Sequence, residues 1–151
     1  MAKTPQTPKD KREIVRLWFS EIWEKGNLAA IEELMAANFS PEALDGSVVK
    51  SPEDIPILVE VLHGMMGPPK VEIDMFLEEG DWICCCFNLL APRPDVEQPL
   101  KVQGTVLFLI EGGKITGLRS LLNLFSAFEQ TGQLPEDSIA GCLSGQKLVW
   151  A

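Results

Sequence analysis

The stretch Gly112-Gly113-Lys114-Ile115-Thr116-Gly117-Leu118-Arg119-Ser120-Leu121-Leu122-Asn123 decides the fold. Two glycines between apolar runs mark a tight hairpin, whose central residues need a positive φ that glycine adopts freely. Residues 100–111 before the turn and 114–123 after it then read as paired strands. Residues 125–131 follow as one or two closing helical turns. A strict period of two puts Ile115, Gly117, Arg119, Leu121 and Asn123 on one face. Thr116, Leu118, Ser120 and Leu122 take the other.

Two further strands precede this hairpin. Residues 70–79 alternate, with Val71, Ile73, Met75 and Leu77 on one face and Glu72, Asp74 and Glu78 largely on the other. Residues 82–90 form a mostly apolar run suited to a central strand. Residues 91–99 contain Pro92, Pro94 and Pro99 and read as a loop between strands. The first half of the chain is helical instead. Ile14, Trp18 and Ile22 recur at four-residue spacing, as do Val15 and Phe19, which predicts a helix over residues 9–25. Gly26 and Asn27 separate it from a second helix over residues 28–37. Residues 38–50 read as irregular. Ser51-Pro52-Glu53-Asp54 opens a third helix carrying Ile55, Leu58, Val59 and Leu62, with its end near Met66-Gly67. Helices followed by a meander of strands give an α+β layer architecture.

The 151 residues suit one domain. Residues 1–8 read as a disordered tail, 9–132 as the domain and 133–151 as a C-terminal extension. Leu148, Val149 and Trp150 should pack, against this chain or a partner. The formal net charge of −9 argues against nucleic acid and against anionic membrane surfaces. No apolar stretch approaches the ~18 residues of a membrane span, and no apolar leader opens the chain, so the cytoplasm is the default location. Cys84, Cys85 and Cys86 alternate faces along a strand and are poor disulfide partners for one another. They lack metal-ligand spacing, so no metal is expected. No phosphate-binding glycine loop occurs, and no cofactor is expected.

Trp23-Glu24-Lys25-Gly26-Asn27-Leu28, together with the Gly113-Lys114-Ile115 strand start, resembles the SnoaL-like polyketide cyclases of the nuclear transport factor two-like superfamily. The resemblance covers residues 9–132. It implies a cone: three N-terminal helices on a curved, mostly antiparallel four-strand meander, then a short C-terminal helix and tail. It also implies an apolar pocket for a small hydrophobic ligand, an aromatic or polyketide-like carbonyl compound, lined by Trp18, Met66, Phe87, Phe108 and Leu121. In that family the strand after "GKI" ends in an aspartate doing acid–base work, with an aromatic residue four positions earlier. This chain has Asn123 and Arg119 there, and an amide cannot shuttle a proton at neutral pH.

The candidate catalytic residues follow. Arg119 and Asn123 can hold a carbonyl or enolate oxygen. His63, the sole histidine, has a suitable ordinary pKa for a base, and Asp45 stands in reserve. Each also has a plain structural role: Arg119 at the rim, Asn123 capping the closing helix, His63 at a helix end, Asp45-Gly46 in a turn. If Ile83, Cys85, Phe87 and Leu89 face the helices, then Trp82, Cys84 and Cys86 face outward. The superfamily resemblance implies a homodimer through that outer face. A cyclase- or isomerase-like enzyme and a non-catalytic ligand-binding or dimerisation module both remain open.

Overall fold

A computed structural model describes residues 10–37, 39 and 51–149. Its first helix starts as α1 (Lys11–Leu17) and continues with wider, π-helical turns over Trp18–Glu24. There the Lys25 N–H donates to the Ser20 carbonyl, five residues back. That bonding widens the turn and brings positions i and i+5 closer to one face than an α-helix does. Trp18, Phe19, Ile22 and Trp23 are all buried as a result. The second helix, α2 (Ala30–Leu34), is shorter than the expected 28–37. Past Leu34 the chain extends, and Met35 bridges Ile115 in parallel, with the Ala36 N–H donating to the Ile115 carbonyl at 2.9 Å.

The third helix, α3 (Asp54–Met66), buries Ile55, Val59, Leu62 and Met66. Its start is held by the Asp54 carboxylate, which accepts from the Ser51 N–H at 2.9 Å. This is the acidic arm of a capping box. Gly67 ends the helix as expected.

Strands β1 (Lys70–Glu79), β2 (Trp82–Arg93), β3 (Val96–Glu111) and β4 (Lys114–Leu122) form one antiparallel sheet in chain order. The expected loop at 91–99 shrinks to a turn at Pro94 and Asp95, with Arg93 paired to Val96. Pro92 is tolerated because it occupies a register shift between Ala91 and Arg93, where the ladder needs no N–H.

The helices cover one face of this sheet. Ile83, Cys85, Phe87, Leu89, Val102, Val106 and Phe108 form the buried inner layer with them. Helix α4 (Leu124–Gln130) closes the end of β4, and α5 (Ser138–Leu143) follows in the C-terminal segment.

Two bulges correct the expected strand faces. In β1 the register shifts between Ile73 and Met75, leaving Asp74 as the extra residue. Val71, Ile73 and Phe76 therefore pack inward, while Met75 and Leu77 are 46% and 59% exposed on the outer face. In β4 the shift lies between Ile115 and Gly117. Ile115 and Leu118 both reach the core, three positions apart. From there Leu118, Ser120 and Leu122 face the helices, and Arg119 and Leu121 face outward.

Candidate functional site

The cone interior is largely filled by rings. Phe19 lies 4.6 Å from Phe87, centroid to centroid, and meets Phe108 edge-on at 6.4 Å. Trp18 meets Phe108 edge-on at 5.9 Å. The Phe87 ring presses over Gly104, where an added Cβ would sit 2.4 Å from Cζ. What remains is a cavity of ≈ 30 Å³, bounded by Trp18, Phe19, Trp23, Phe87 and Leu118 among others. Water needs at least about 10–15 Å³ of such space, whereas a drug-sized ligand needs a pocket of about 300 Å³ or more. Among the described residues the lining includes no acid, base or thiol, and Ser120 supplies its only side-chain hydroxyl.

The candidate residues do not converge on this cavity. Asn123 is the N-cap of α4: its Oδ1 accepts from the Ser126 N–H at 3.1 Å. Its own N–H donates to the Gln103 carbonyl, extending the sheet by one bond. Arg119 is exposed on the outer face, its guanidinium 5.8 Å from the centre of the Trp82 ring. The bulge in β4 put it there, against the period-two expectation. His63 is half-buried, with Nε2 2.5 Å from the Trp23 carbonyl oxygen, so that nitrogen carries the proton. The contact fastens the end of α3 to the end of the π-helical turns. Asp45 lies outside the described residues.

Of the expected lining residues, Trp18 and Phe87 border the cavity. Met66 and Phe108 are buried in the core but do not border the cavity. Leu121 is 70% exposed on the opposite face of the sheet.

Sequence reasoning missed two features. The first is the Phe87–Gly104 interlock. A glycine inside a strand often marks a close approach, and Gly104 carried that signal. The second lies on the outer face, at the β1 bulge. Asn88, only 4% exposed, donates from Nδ2 to both Asp74 carboxylate oxygens at 3.2 and 3.0 Å. Its Oδ1 is buried without a hydrogen-bond partner among the described residues. Asp74, Asn88, Gln103, Thr105 and Asn123 border an open recess of ≈ 380 Å³. Nothing in an alternating pattern announces a bulge, so this pair was not legible.

The centre of the outer face is apolar, with charged Arg119, Glu79 and Asp81 toward one end. Met75, Leu77, Leu107 and Leu121 are exposed, and Trp82, Cys84 and Cys86 are half-buried. Burial raises the Cys84 pKa, aided by the neighbouring Cys86, and pushes that of Cys85 up to about 12. Among the described residues no three His, Cys, Asp or Glu side chains converge as metal ligands, and no helix is long and apolar enough to cross a membrane.

Known structures share this architecture. A candidate polyketide cyclase from Bacillus cereus superposes with a TM-score of 0.69 at 15% identity, over 89% of this chain and 99% of its own. A candidate SnoaL-like polyketide cyclase from Jannaschia gives 0.66 at 20% identity, over 89% and 99%. A hypothetical protein of ketosteroid isomerase-like fold from Catenulispora acidiphila gives 0.63 at 22%, over 89% and 98%. At such identities the likeness establishes the fold. None of the curated proteins matches the sequence. The sequence model of the SnoaL-like domain does match, over residues 15–118, and the chain belongs to that family.

Proposed function

We propose that this SnoaL-like chain is a non-catalytic assembly module: two copies pair through the outer sheet face, and the cone admits at most a small apolar ligand. The observation that carries the reading is the cavity itself. It is ≈ 30 Å³, and its described lining contains no group able to take or give a proton near neutral pH. The family's acid position is occupied by Asn123, whose side-chain oxygen is engaged in capping α4.

The outer face supports pairing. Four strands at about 4.8 Å spacing and ten residues at about 3.4 Å give a flat area of roughly 600 Å². This approaches the ~800 Å² per partner of a standard interface. Exposed Met75, Leu77, Leu107 and Leu121 give it an apolar centre. The four cysteines are free thiols, which suits a reducing compartment such as the cytoplasm.

Native mass spectrometry of freshly purified protein tests the assembly and reports any retained ligand. The expected species is a dimer, and a strict monomer would remove the reading. Catalysis is tested by incubating the wild type and the Asn123→Asp and Asn123→Ala variants with aromatic polyketide-like ketones. No turnover is expected from the wild type. Turnover by wild type that Asn123→Ala abolishes would restore the enzyme.

A further inference from the structure

We propose that Arg119 of one copy pairs with Asp74 of a second copy, so that two symmetric ion pairs set the register of the dimer. The inference rests on the assembly reading above and goes beyond it by naming the contact. Among the charged residues of this face, Arg119 and Asp74 are opposite in sign and stand on either side of its apolar centre, and neither has an ionic partner among the described residues. The Arg119 guanidinium meets only the Trp82 ring, with no carboxylate in ion-pair range among the described residues. The exposed Asp74 carboxylate is held by the Asn88 amide, and no described cation reaches it. The amide fixes the carboxylate at the bulge and compensates none of its charge. Asn88 is itself left with an orphaned buried oxygen, a costly arrangement for a merely decorative polar pair.

Within one chain the two charges cannot meet. Arg119 is level with Leu107, Cys84 and Leu77 across the sheet, and Asp74 lies on the opposite edge strand, three residues before Leu77. Three strand spacings of about 4.8 Å and three residues at about 3.4 Å put their backbones roughly 17 Å apart. A second copy removes the obstacle. Two sheets related by a two-fold axis lying between them are self-complementary, so any contact is made twice. The axis that exchanges the Arg119 and Asp74 positions passes over their midpoint. That midpoint falls between β2 and β3, beside Cys84, Cys86, Thr105 and Leu107. The ion pairs would thus flank the apolar centre of the face, as a polar rim flanks an interface core. Beside a closed apolar centre the effective dielectric is lower than in bulk water, and a pair of this kind gains strength over one on an open surface. Arg119 also suits the part, because a planar guanidinium can stack on Trp82 while its edge binds a carboxylate.

The test is a charge swap read by analytical ultracentrifugation of the full chain. Arg119→Asp and Asp74→Arg should each weaken dimerisation by about tenfold or more, and the double variant should recover most of that loss. Asp74→Arg also breaks the bond to Asn88. Arg119→Gln is therefore included, since it removes the charge without touching the bulge, and circular dichroism checks each fold. A wild-type dimer indifferent to Arg119→Asp and Arg119→Gln would overturn the ion pair and leave the assembly standing. Failure of the double variant to recover would also overturn it. A wild type that stays monomeric at all concentrations would overturn both.

Discussion

Gly104 illustrates how one missing side chain decides what the cone can hold. Phe87 lies across from it in the ladder, and its ring fills the space a β-carbon would take. The ring cannot swing away freely, because Phe19 packs against it at 4.6 Å. Gly104→Ala should therefore destabilise the protein by about 1–3 kcal/mol through overpacking. Adding Phe87→Leu, which shortens the side chain at the clash, should make the pair of changes cost less than their sum. Urea midpoints of the two single variants and the double variant measure this. Strict additivity would mean the two residues do not share the space. The same scale explains why the site was only partly readable. The identities of Arg119 and Asn123 were plain in the sequence. Which way Arg119 points was not, because direction depends on a backbone irregularity upstream.

The strands show where periodicity succeeds and fails. In β2 the apolar run Ile83, Cys85, Phe87, Leu89 keeps a strict period of two, and all four are buried as the pattern predicts. In β1 and β4, the two edge strands, one extra residue reverses the faces midway. Edges carry such bulges more readily, since only one side must keep its ladder. The β3–β4 hairpin was legible because its chemistry is local. Gly112 and Gly113 have φ of 59° and 77°, in the left-handed region that branched residues avoid. Gly112→Val should cost about 1–2 kcal/mol, whereas Gly112→Asn should cost clearly less, because asparagine visits that region. Chemical denaturation of the two variants decides it. Equal losses would indicate that space, and not backbone conformation, limits the position, although a Cβ there meets nothing within 4 Å.

Across the whole molecule, burial sorts four cysteines that the sequence leaves alike. Cys142 is exposed, Cys84 and Cys86 are half-buried on the outer face, and Cys85 is fully enclosed. The sequence suggested the alternation of the three neighbours but not its energetic consequence. Burial above all, then the adjacent thiols of Cys86 and Cys84 and the charge of Asp74, push the Cys85 pKa up from 9.0 to about 12, with Arg16 opposing. The sign follows from which state holds the proton. Above pH ~9 the unfolded chain releases it while the folded chain keeps it, so ionisation favours unfolding. The contribution of this thiol is therefore intact below pH ~9. It falls by about 1.4 kcal/mol per pH unit as the pH rises from there toward the folded value. The chain has no tyrosine, which removes one competing group from this range. Lysines titrate there as well, so the comparison must be with a variant that lacks only the thiol. Cys85→Ala should start less stable at neutral pH, because it leaves a cavity. Its unfolding free energy should then decline less steeply than that of the wild type between pH ~8.5 and ~10.5. Urea titrations across that range, with reductant present, give both slopes. Parallel slopes would mean that Cys85 ionises as easily in the folded protein as in the unfolded one, and that the inner face of β2 is wetter than its packing implies.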